Sequence, residues 1–209
     1  MAWYLENVYE RNKESPYTFY LPSSHVLEKL KAGDLVKLIF AAEEVAEDGF
    51  HAERMWVEII QMNGETFIGK LENQPCRLPL EAGTEISFGV ENICDTEYED
   101  PAASDWDIYF DTKVIVSRDV LEKGEFNFML RDDPAEEMDS GWSILSGYEE
   151  DEFLSNPENF QVLAIGVILN IDDSILAFIE EPPLCAYERD DRGDFYQIED
   201  YDWDSYLSK

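Results

Sequence analysis

The fold of the first half of the chain is decided by Met55-Trp56-Val57-Glu58-Ile59-Ile60-Gln61-Met62-Asn63-Gly64-Glu65-Thr66-Phe67-Ile68-Gly69-Lys70-Leu71. Two runs rich in β-branched and aromatic residues, 55–61 and 66–71, lie on either side of Asn63-Gly64. Such runs favour strands, and Asn-Gly between them is a strong hairpin signal, because both central residues of that turn need positive φ. The stretch therefore predicts an antiparallel β-hairpin.

Flanking segments extend this hairpin into a sheet. Residues 35–40 and 85–90 have the same strand-forming composition and are bounded by Gly and Asn. Upstream, Ser23 or Ser24 predicts the cap of a short helix through Lys31, with Gly33 at its left-handed C-terminal cap. The first half is thus predicted to be an antiparallel sheet with one helix.

The second half alternates predicted strands with short helices. The apolar run 161–170 fits either a buried strand or a helix, because periodicity does not separate the two. Strands are predicted at 114–116, 126–130, 142–145 and 184–188, and helices at 117–123 and 172–179.

These patterns predict an α+β protein of two small domains, each a mainly antiparallel sheet with one or two helices. The chain has 209 residues, of which 44% are hydrophobic, and this is ample for packed cores. An acidic stretch with small residues and one proline near Trp106 indicates a linker. We expect a first domain at 1–104, a linker at 105–112 and a second domain with an acidic C-terminal segment at 113–209.

The charge is strongly negative throughout the chain. There are 48 acidic and 15 basic side chains, a formal net charge of -33, and both halves share the excess. Such a field repels nucleic acid and anionic membranes, so neither is expected as a partner. Two explanations remain: a generally acidic, soluble surface, as in adaptation to high salt, or an acidic face matched to a basic protein partner.

Targeting signals are not evident. The N-terminal residues lack a basic leader followed by an apolar core, and the apolar run 162–169 is far shorter than the roughly 20 residues that span a bilayer. The three cysteines, Cys76, Cys94 and Cys185, are odd in number and widely spaced, which favours reduced thiols. We expect a cytoplasmic protein without a membrane-spanning helix.

Motifs for catalysis or cofactor binding are missing from the sequence. Ser140 lacks the Gly-x-Ser-x-Gly context of a nucleophile, and the two histidines, His25 and His51, both lie in the other half. Segment 190–194 comes nearest to a calcium loop but has Arg192 where a ligand belongs. No phosphate-binding glycine loop occurs. We therefore expect no catalytic residues, no cofactor and no metal site.

The segment Asp139-Ser140-Gly141-Trp142 is the most unusual motif of the second half. In a structural interpretation Asp139 or Ser140 caps a turn, Gly141 takes an unusual φ and Trp142 anchors the core. In a functional interpretation Asp139, Trp142, Glu149 and Arg131 surround a concave surface that binds a partner. Arg131 is also a candidate for an ion pair with Glu149 or Asp139.

Two segments combine aromatic rings with carboxylates. Trp106 lies in the first of them, and Tyr201 and Trp203 lie in the second, near the C-terminus. Such segments either mimic nucleic acid, with carboxylates in place of phosphates, or form a solvated face with docked rings. We therefore add Trp106, Tyr201 and Trp203 to the candidate partner-binding residues.

The order of short motifs in the second half resembles a known family. The motifs are Phe128-Met129-Leu130-Arg131-Asp132-Asp133-Pro134, Asp139-Ser140-Gly141-Trp142, Gly147-Tyr148-Glu149, Asn156-Pro157-Glu158-Asn159 and Glu188-Arg189. Over about residues 113–200 this order resembles the immunity protein 33 family, small bacterial domains linked to polymorphic-toxin systems. The resemblance implies a protein without catalytic activity that binds another protein, such as a toxin.

The first half resembles an uncharacterised bacterial domain family. The resemblance rests on Glu53-Arg54-Met55-Trp56-Val57, Gly69-Lys70-Leu71-Glu72-Asn73-Gln74-Pro75, Gly83 and Ile93-Cys94-Asp95. That family usually has Asp-Trp at the last position, whereas Thr96 follows Asp95 here. The resemblance implies a fold and no activity.

The expected function is binding of a basic protein partner through an acidic surface. The alternative is a binding module for a small molecule or peptide, with its ligand in a cleft near Trp56, Asn73 and Trp142. An enzyme is the third possibility, and it would require a buried cluster of carboxylates with perturbed pKa values.

Overall fold

The computed structural model describes residues 2–136 and 138–208 and divides the chain into two compact units, Met1–Trp106 and Asp107–Lys209. Each unit contains a six-stranded sheet with short helices. The predicted α+β fold of two small, mainly antiparallel domains is confirmed. The stretch predicted as a linker is helical, with a 3-10 helix at Pro101–Trp106 followed by α3 at Asp107–Asp111.

The first unit begins with a short strand and a helix, and its sheet follows. Its strands are β1 (Trp3–Leu5), β2 (Leu35–Ala42), β3 (Ala52–Asn63), β4 (Thr66–Leu71), β5 (Glu85–Gly89) and β6 (Ile93–Thr96), and its α-helices are α1 (Val8–Glu14) and α2 (Ser24–Leu27). Helix α2 is shorter than predicted. The Lys29 and Leu30 amides donate to carbonyls three residues back, and this tightens the chain into a turn.

The first sheet is curled. Its order is β1-β2-β3-β4-β5, and β6 pairs with the N-terminal part of β2, beside β1 on the same edge. In a flat sheet β5 and β6 would lie about 19 Å apart, at about 4.8 Å per strand. The 3-10 helix Val90–Asn92 joins them with three residues, each rising only about 2 Å. The sheet must therefore wrap around its core, where Phe40, Val57 and Leu71 are fully buried.

The predicted hairpin is confirmed, with its turn one residue later than expected. Asn63 pairs with Thr66, so the central turn residues are Gly64 and Glu65. Gly64 has φ of 65°, and among the described residues Leu184 alone is a non-glycine with positive φ. A turn with positive φ at its first central residue alone is of type II′, and this position favours glycine.

The second unit is a six-stranded sheet packed with short helices. Its strands are β7 (Lys113–Ser117), β8 (Phe128–Arg131), β9 (Asp139–Leu145), β10 (Phe160–Ala164), β11 (Cys185–Arg189) and β12 (Phe195–Gln197), and its remaining α-helices are α4 (Arg118–Lys123), α5 (Asp151–Leu154), α6 (Ile165–Leu169) and α7 (Trp203–Leu207). Helix α4 starts at the predicted Ser117 cap. The ambiguous run 161–170 is both a strand and a helix, since β10 leads directly into α6.

The second unit departs from the predictions in three details. Strand β9 begins at Asp139, earlier than the predicted Trp142, although the Asp139 carboxylate does accept the Gly141 amide hydrogen bond, as the turn-capping interpretation expected. The helix predicted from Asp172 is a 3-10 helix, Asp173–Ala177, and β12 was not predicted. Short elements of this kind have weak sequence signals, because tertiary contacts decide them.

The second sheet has the order β10-β7-β9-β8-β11-β12, with β7 and β9 parallel and all other pairs antiparallel. One face is the core, where Val116, Ile144, Met129 and Tyr187 lie side by side in register and are buried. The opposite face is only partly covered, and Ile115 on β7 is 40% exposed.

Candidate functional site

A groove of about 840 Å³ lies on the less covered face of the second sheet. Its floor includes Ile115, Leu130 and Leu145 from the three central strands. One wall is segment 154–160 and the other is the C-terminal segment 201–207. We call this site the open-face groove.

The C-terminal wall is held by aromatic contacts. The ring centroids of Phe128 and Tyr201 are 6.0 Å apart, Tyr201 and Trp203 are 4.7 Å apart, and Trp203 and Tyr206 are 5.6 Å apart. The Asp202 carboxylate caps α7 by accepting the Ser205 amide hydrogen bond at 3.0 Å. The segment is therefore docked on the sheet through its rings.

The opposite wall is a short helix followed by a 3-10 turn. The Asn156 side chain caps the 3-10 helix Pro157–Asn159, and Asn159 Nδ2 donates to the Phe153 carbonyl at 2.9 Å. Phe153 also meets Phe160 edge-on, with ring centroids 6.2 Å apart. These contacts fix the wall, at whose rim Leu154 is 41% exposed.

The Asp139-Ser140-Gly141-Trp142 motif lies behind the groove and is structural. The Asp139 carboxylate accepts hydrogen bonds from the amides of Gly141 and Ala135, both at 2.8 Å, and the Ser140 hydroxyl donates to the Lys113 carbonyl at 2.6 Å. Gly141 has φ of 78°, and a Cβ there would overlap the Asp132 carbonyl oxygen. Trp142 is fully buried, so the geometry supports the interpretation in which its ring anchors the core.

Arg131 braces the same motif. Its Nε donates to the Ser140 carbonyl at 2.9 Å, and its Nη1 donates to the carbonyls of Ile179 and Glu181. Its guanidinium carbon lies 5.8 Å from the centroid of the Trp142 ring. The predicted ion pair with Asp139 or Glu149 was wrong, because both carboxylates are engaged by backbone amides and hydroxyls.

Glu149 organises the loop at one end of the groove. Its Oε1 accepts from the Ser146 amide at 2.7 Å and from the Ser117 hydroxyl, and its Oε2 accepts from the Gly147 amide at 2.9 Å. Burial by itself raises the pKa of Glu149, but these hydrogen bonds outweigh it, so that the pKa lies below its usual range. Glu149 is thus an ionised structural residue that also lines the groove.

The first-unit candidates have local structural partners. Trp106 meets Tyr20 edge-on at 5.4 Å between ring centroids. Lys37 Nζ lies 4.3 Å from the centroid of the partly exposed Trp56 ring, and Asn73 Oδ1 accepts the Trp56 amide hydrogen bond at 2.5 Å. Asn73 therefore holds the edge of β3, and the Trp56 ring carries a cation on its face.

The groove contains some of the predicted residues and several that the sequence reasoning missed. Tyr201 and Glu149 line it, whereas Arg131, Asp139 and Trp142 brace the structure beneath. The missed residues are apolar: Ile115, Leu154, Phe160 and Leu207. A signal was present at Ile115, because an apolar residue between Val114 and Val116 breaks the alternation of a one-sided strand.

Metal-binding clusters and membrane-spanning helices are both absent from the described residues. In the part of the chain that the structure describes, no three His, Cys, Asp or Glu side chains are grouped to hold a metal ion. Over the same residues, no helix has the length and apolar character needed to cross a membrane.

Comparison with protein families matches both units. Residues 114–199 match the model of the Immunity protein Imm33 domain, and residues 17–113 match that of a family described as uncharacterized protein conserved in bacteria (DUF2314). Both matches confirm the resemblances stated from the motifs. Comparisons with curated proteins and with solved structures found no match. The floor of the groove and its 154–160 wall lie inside the first match.

Proposed function

We propose that this protein is a non-catalytic, immunity-type binding protein whose second unit engages a basic protein, such as a toxin, at the open-face groove. The single observation that carries the proposal is the match to the Immunity protein Imm33 domain over the residues that build the groove floor. An immunity domain supports a protein partner in general. The basic character of that partner is inferred from the negative charge at the rim of the groove.

The apolar floor suits the centre of a protein interface. Ile115, Leu154 and Leu207 are 40%, 41% and 57% exposed, although they are large and apolar. Interfaces combine an apolar centre with a polar rim, and an anchor side chain commonly fills a pocket at the centre. A partner that inserts one or two apolar side chains would cover this surface.

The rim favours a cationic partner. Among the residues that the structure describes, those that line the groove include the carboxylates Asp132 and Glu149 and no basic residue. The neighbouring acids at 150–152 and Glu158 are exposed. Complementary charge speeds encounter and selects against wrong partners.

Three cations of the second unit are engaged by other groups of the fold, and this strengthens the negative field at the rim of the groove. Arg131 donates to carbonyl oxygens, and Lys113 Nζ donates to the Phe110 carbonyl. Arg189 pairs with Asp172 at 2.7 Å and lies 4.2 Å from the Phe195 ring centroid. Arg131 and Arg189 are therefore directed into the fold and the Lys113 ammonium is held against the backbone of α3, while the carboxylates at 150–152 face solvent.

The mechanism that we propose is occlusion. The acidic rim would enter the basic cleft of a toxin, such as a nuclease, and exclude its negatively charged substrate. Association would be fast and sensitive to salt, because long-range attraction between opposite charges is screened beyond about 8 Å at physiological ionic strength.

The groove volume also favours a second candidate function. A volume of about 840 Å³ lies within the range of about 300 to 1,000 Å³ that is usual for small-molecule sites. An apolar small molecule or a peptide would then occupy the groove itself. Native mass spectrometry of the purified chain would show such a ligand as a co-purifying mass.

The deciding experiment is a capture of partners from the native cell lysate by the tagged full chain. The bound fraction is washed at low and then at high salt, and the proteins are identified by mass spectrometry. We expect a basic protein that is released by salt. Capture that persists at high salt for every basic protein, or capture of none, contradicts the proposal.

Two charge variants localise the binding. The first neutralises the groove side with Glu150→Gln, Asp151→Asn and Glu152→Gln. The second removes the same number of charges from an exposed loop of the first unit with Glu43→Gln, Glu44→Gln and Glu47→Gln. We expect the first variant alone to lose the partner. An equal loss in both would mean that net charge, and not the groove, controls binding.

A further inference from the structure

The strand β10 forms an unprotected edge of the second sheet. It is the terminal strand of the sheet order and, among the strands that the structure describes, pairs only with β7. Its sequence, Phe160-Gln161-Val162-Leu163-Ala164, contains no charged residue and no proline, in a chain of which 30% is charged. Natural edge strands usually carry such residues, because an open edge invites another strand. This edge lacks that protection.

The hydrogen bonds show which backbone groups of β10 face outward. The Ile165 amide donates to the Thr112 carbonyl at 2.9 Å, so this pair is bonded. In an antiparallel ladder bonded pairs alternate with non-bonded pairs, and therefore Leu163 and Gln161 face β7 while Val162 faces away. Val162 consequently presents both its N–H and its C=O to the open edge.

The side chains beside this edge continue the groove floor. Val162 is opposite Ile115 in the register, and the two side chains are 67% and 40% exposed. Ile115 lines the groove. In a strand added at β10, every second side chain would lie on the same face of the sheet as Val162. Apolar residues at those positions would extend a surface that is already apolar.

Carboxylates lie near both ends of the edge. Glu158 is exposed just before β10, and the exposed Asp107 and Asp111 belong to α3, which packs against β10. A second copy of the chain would bring the same net charge of -33 to the contact. An extended segment that carries lysine or arginine is complementary to these ends.

We propose that the edge of β10 binds an extended segment of the basic partner by strand addition, with apolar residues alternating with lysine or arginine. This deepens the proposed function and rests on it. Backbone hydrogen bonds at Val162 would supply affinity, and the alternating side chains would supply specificity.

The test uses the full chain and a synthetic heptapeptide that alternates lysine and valine. The control peptide has the same sequence with methyl groups on alternate backbone nitrogens, so it keeps the charges and loses hydrogen-bond donors. Affinity is measured at low salt, and hydrogen exchange of the Val162 and Leu163 amides is measured by NMR. We expect binding of the first peptide, about tenfold weaker binding of the second, and slower exchange at Val162 alone.

A matched pair of variants isolates the backbone group. Val162→Pro removes the outward N–H and leaves the β7 ladder intact, whereas Val162→Thr keeps the N–H with a similar shape. Circular dichroism and thermal unfolding verify that both fold. We expect Val162→Pro to bind the peptide at least tenfold more weakly than the parent chain does. Val162→Thr should bind it with an affinity within about twofold of the parent's.

Several results would overturn strand addition. These are equal binding of the two peptides, binding of neither, unchanged binding by Val162→Pro, or a dimer of the chain that Val162→Pro dissociates. If the partner captured from lysate still binds Val162→Pro, strand addition fails and the proposed function stands. If no basic partner is captured from lysate, the proposed function fails independently of the peptide results.

Discussion

Each unit contains a six-stranded sheet, but the two sheets differ in shape. The first sheet curls around its core, and its inward residues form a single buried cluster. The second sheet stays open, with a buried core on one face and, on the other, a groove flanked by α5 and α7. Among the described residues, five large hydrophobic side chains are exposed in the first unit and eleven in the second. The difference supports the proposal that the partner binds at the second unit.

The connections explain why the sheets differ. Long β3 has a register shift between Ile59 and Gln61, and Gly69 opposite it allows close approach, so the first sheet bends. In the second sheet the parallel pair of β7 and β9 requires a crossover, which contains α4. The opposite face is covered only in part, by segment 154–160 and by the C-terminal segment 201–207.

The largest expected effect is the loss of stability when the core beneath the open sheet is disrupted. Trp142→Ala removes a fully buried ring, so we expect the second unit to lose about 3 to 5 kcal/mol of unfolding free energy. Chemical denaturation, followed by tryptophan and tyrosine fluorescence, measures the change in unfolding free energy. The partly exposed Trp56→Ala in the first unit is the control, and an equal loss there would contradict the core assignment of Trp142.

A second prediction addresses the bend of the first sheet. A Cβ at Gly69 would lie 2.6 Å from the Glu58 carbonyl oxygen and 3.1 Å from the Phe88 ring. We expect Gly69→Ala to destabilise the first unit by about 1 to 3 kcal/mol, because backbone has to move. Thermal unfolding measures the change. Ser87→Ala, at an exposed position of the neighbouring strand, should have little effect, and similar values for both would refute the tight contact.

A third prediction concerns the loop at the end of the groove. The pKa of Glu149 is lowered in the folded state, so its contribution to stability is present above the unfolded value of about 4.3 and is lost as the pH falls through the folded value. We expect Glu149→Gln to cost about 1 kcal/mol at pH 7. The difference from the parent chain should shrink as the pH falls below about 4.3 and disappear once Glu149 is protonated in the folded state. Urea unfolding at pH 7 and at steps of decreasing pH tests this, and a constant difference would contradict it.

The smallest effect on stability should accompany the largest effect on binding. Leu207→Ser at the groove and Val45→Ser in the first unit each alter an exposed apolar side chain, 57% and 70% exposed. Both should change stability by less than about 0.5 kcal/mol. We expect Leu207→Ser alone to weaken capture of the partner. Equal capture by the two variants would place the binding surface elsewhere.

The site was less predictable from sequence than the fold was. Local signals predicted the hairpin around Gly64 and the Ser117 cap, because turns and caps depend on neighbouring residues. Trp142 and Arg131 attracted attention because they are rare, yet their contacts are structural. Ile115 and Leu207 lie 92 positions apart and meet only in the groove. No local pattern brings such residues together.

The sequence by itself determined the class of fold, the negative charge, the first hairpin and the motifs of both families, since these depend on composition and short-range order. Tertiary structure alone decided that the first sheet curls around its core, that the second keeps an open face, and that the acidic C-terminal segment docks as a wall of the groove. The physical reason is that burial is set by long-range packing. A residue such as Ile115 is core or surface according to what distant segments place upon it.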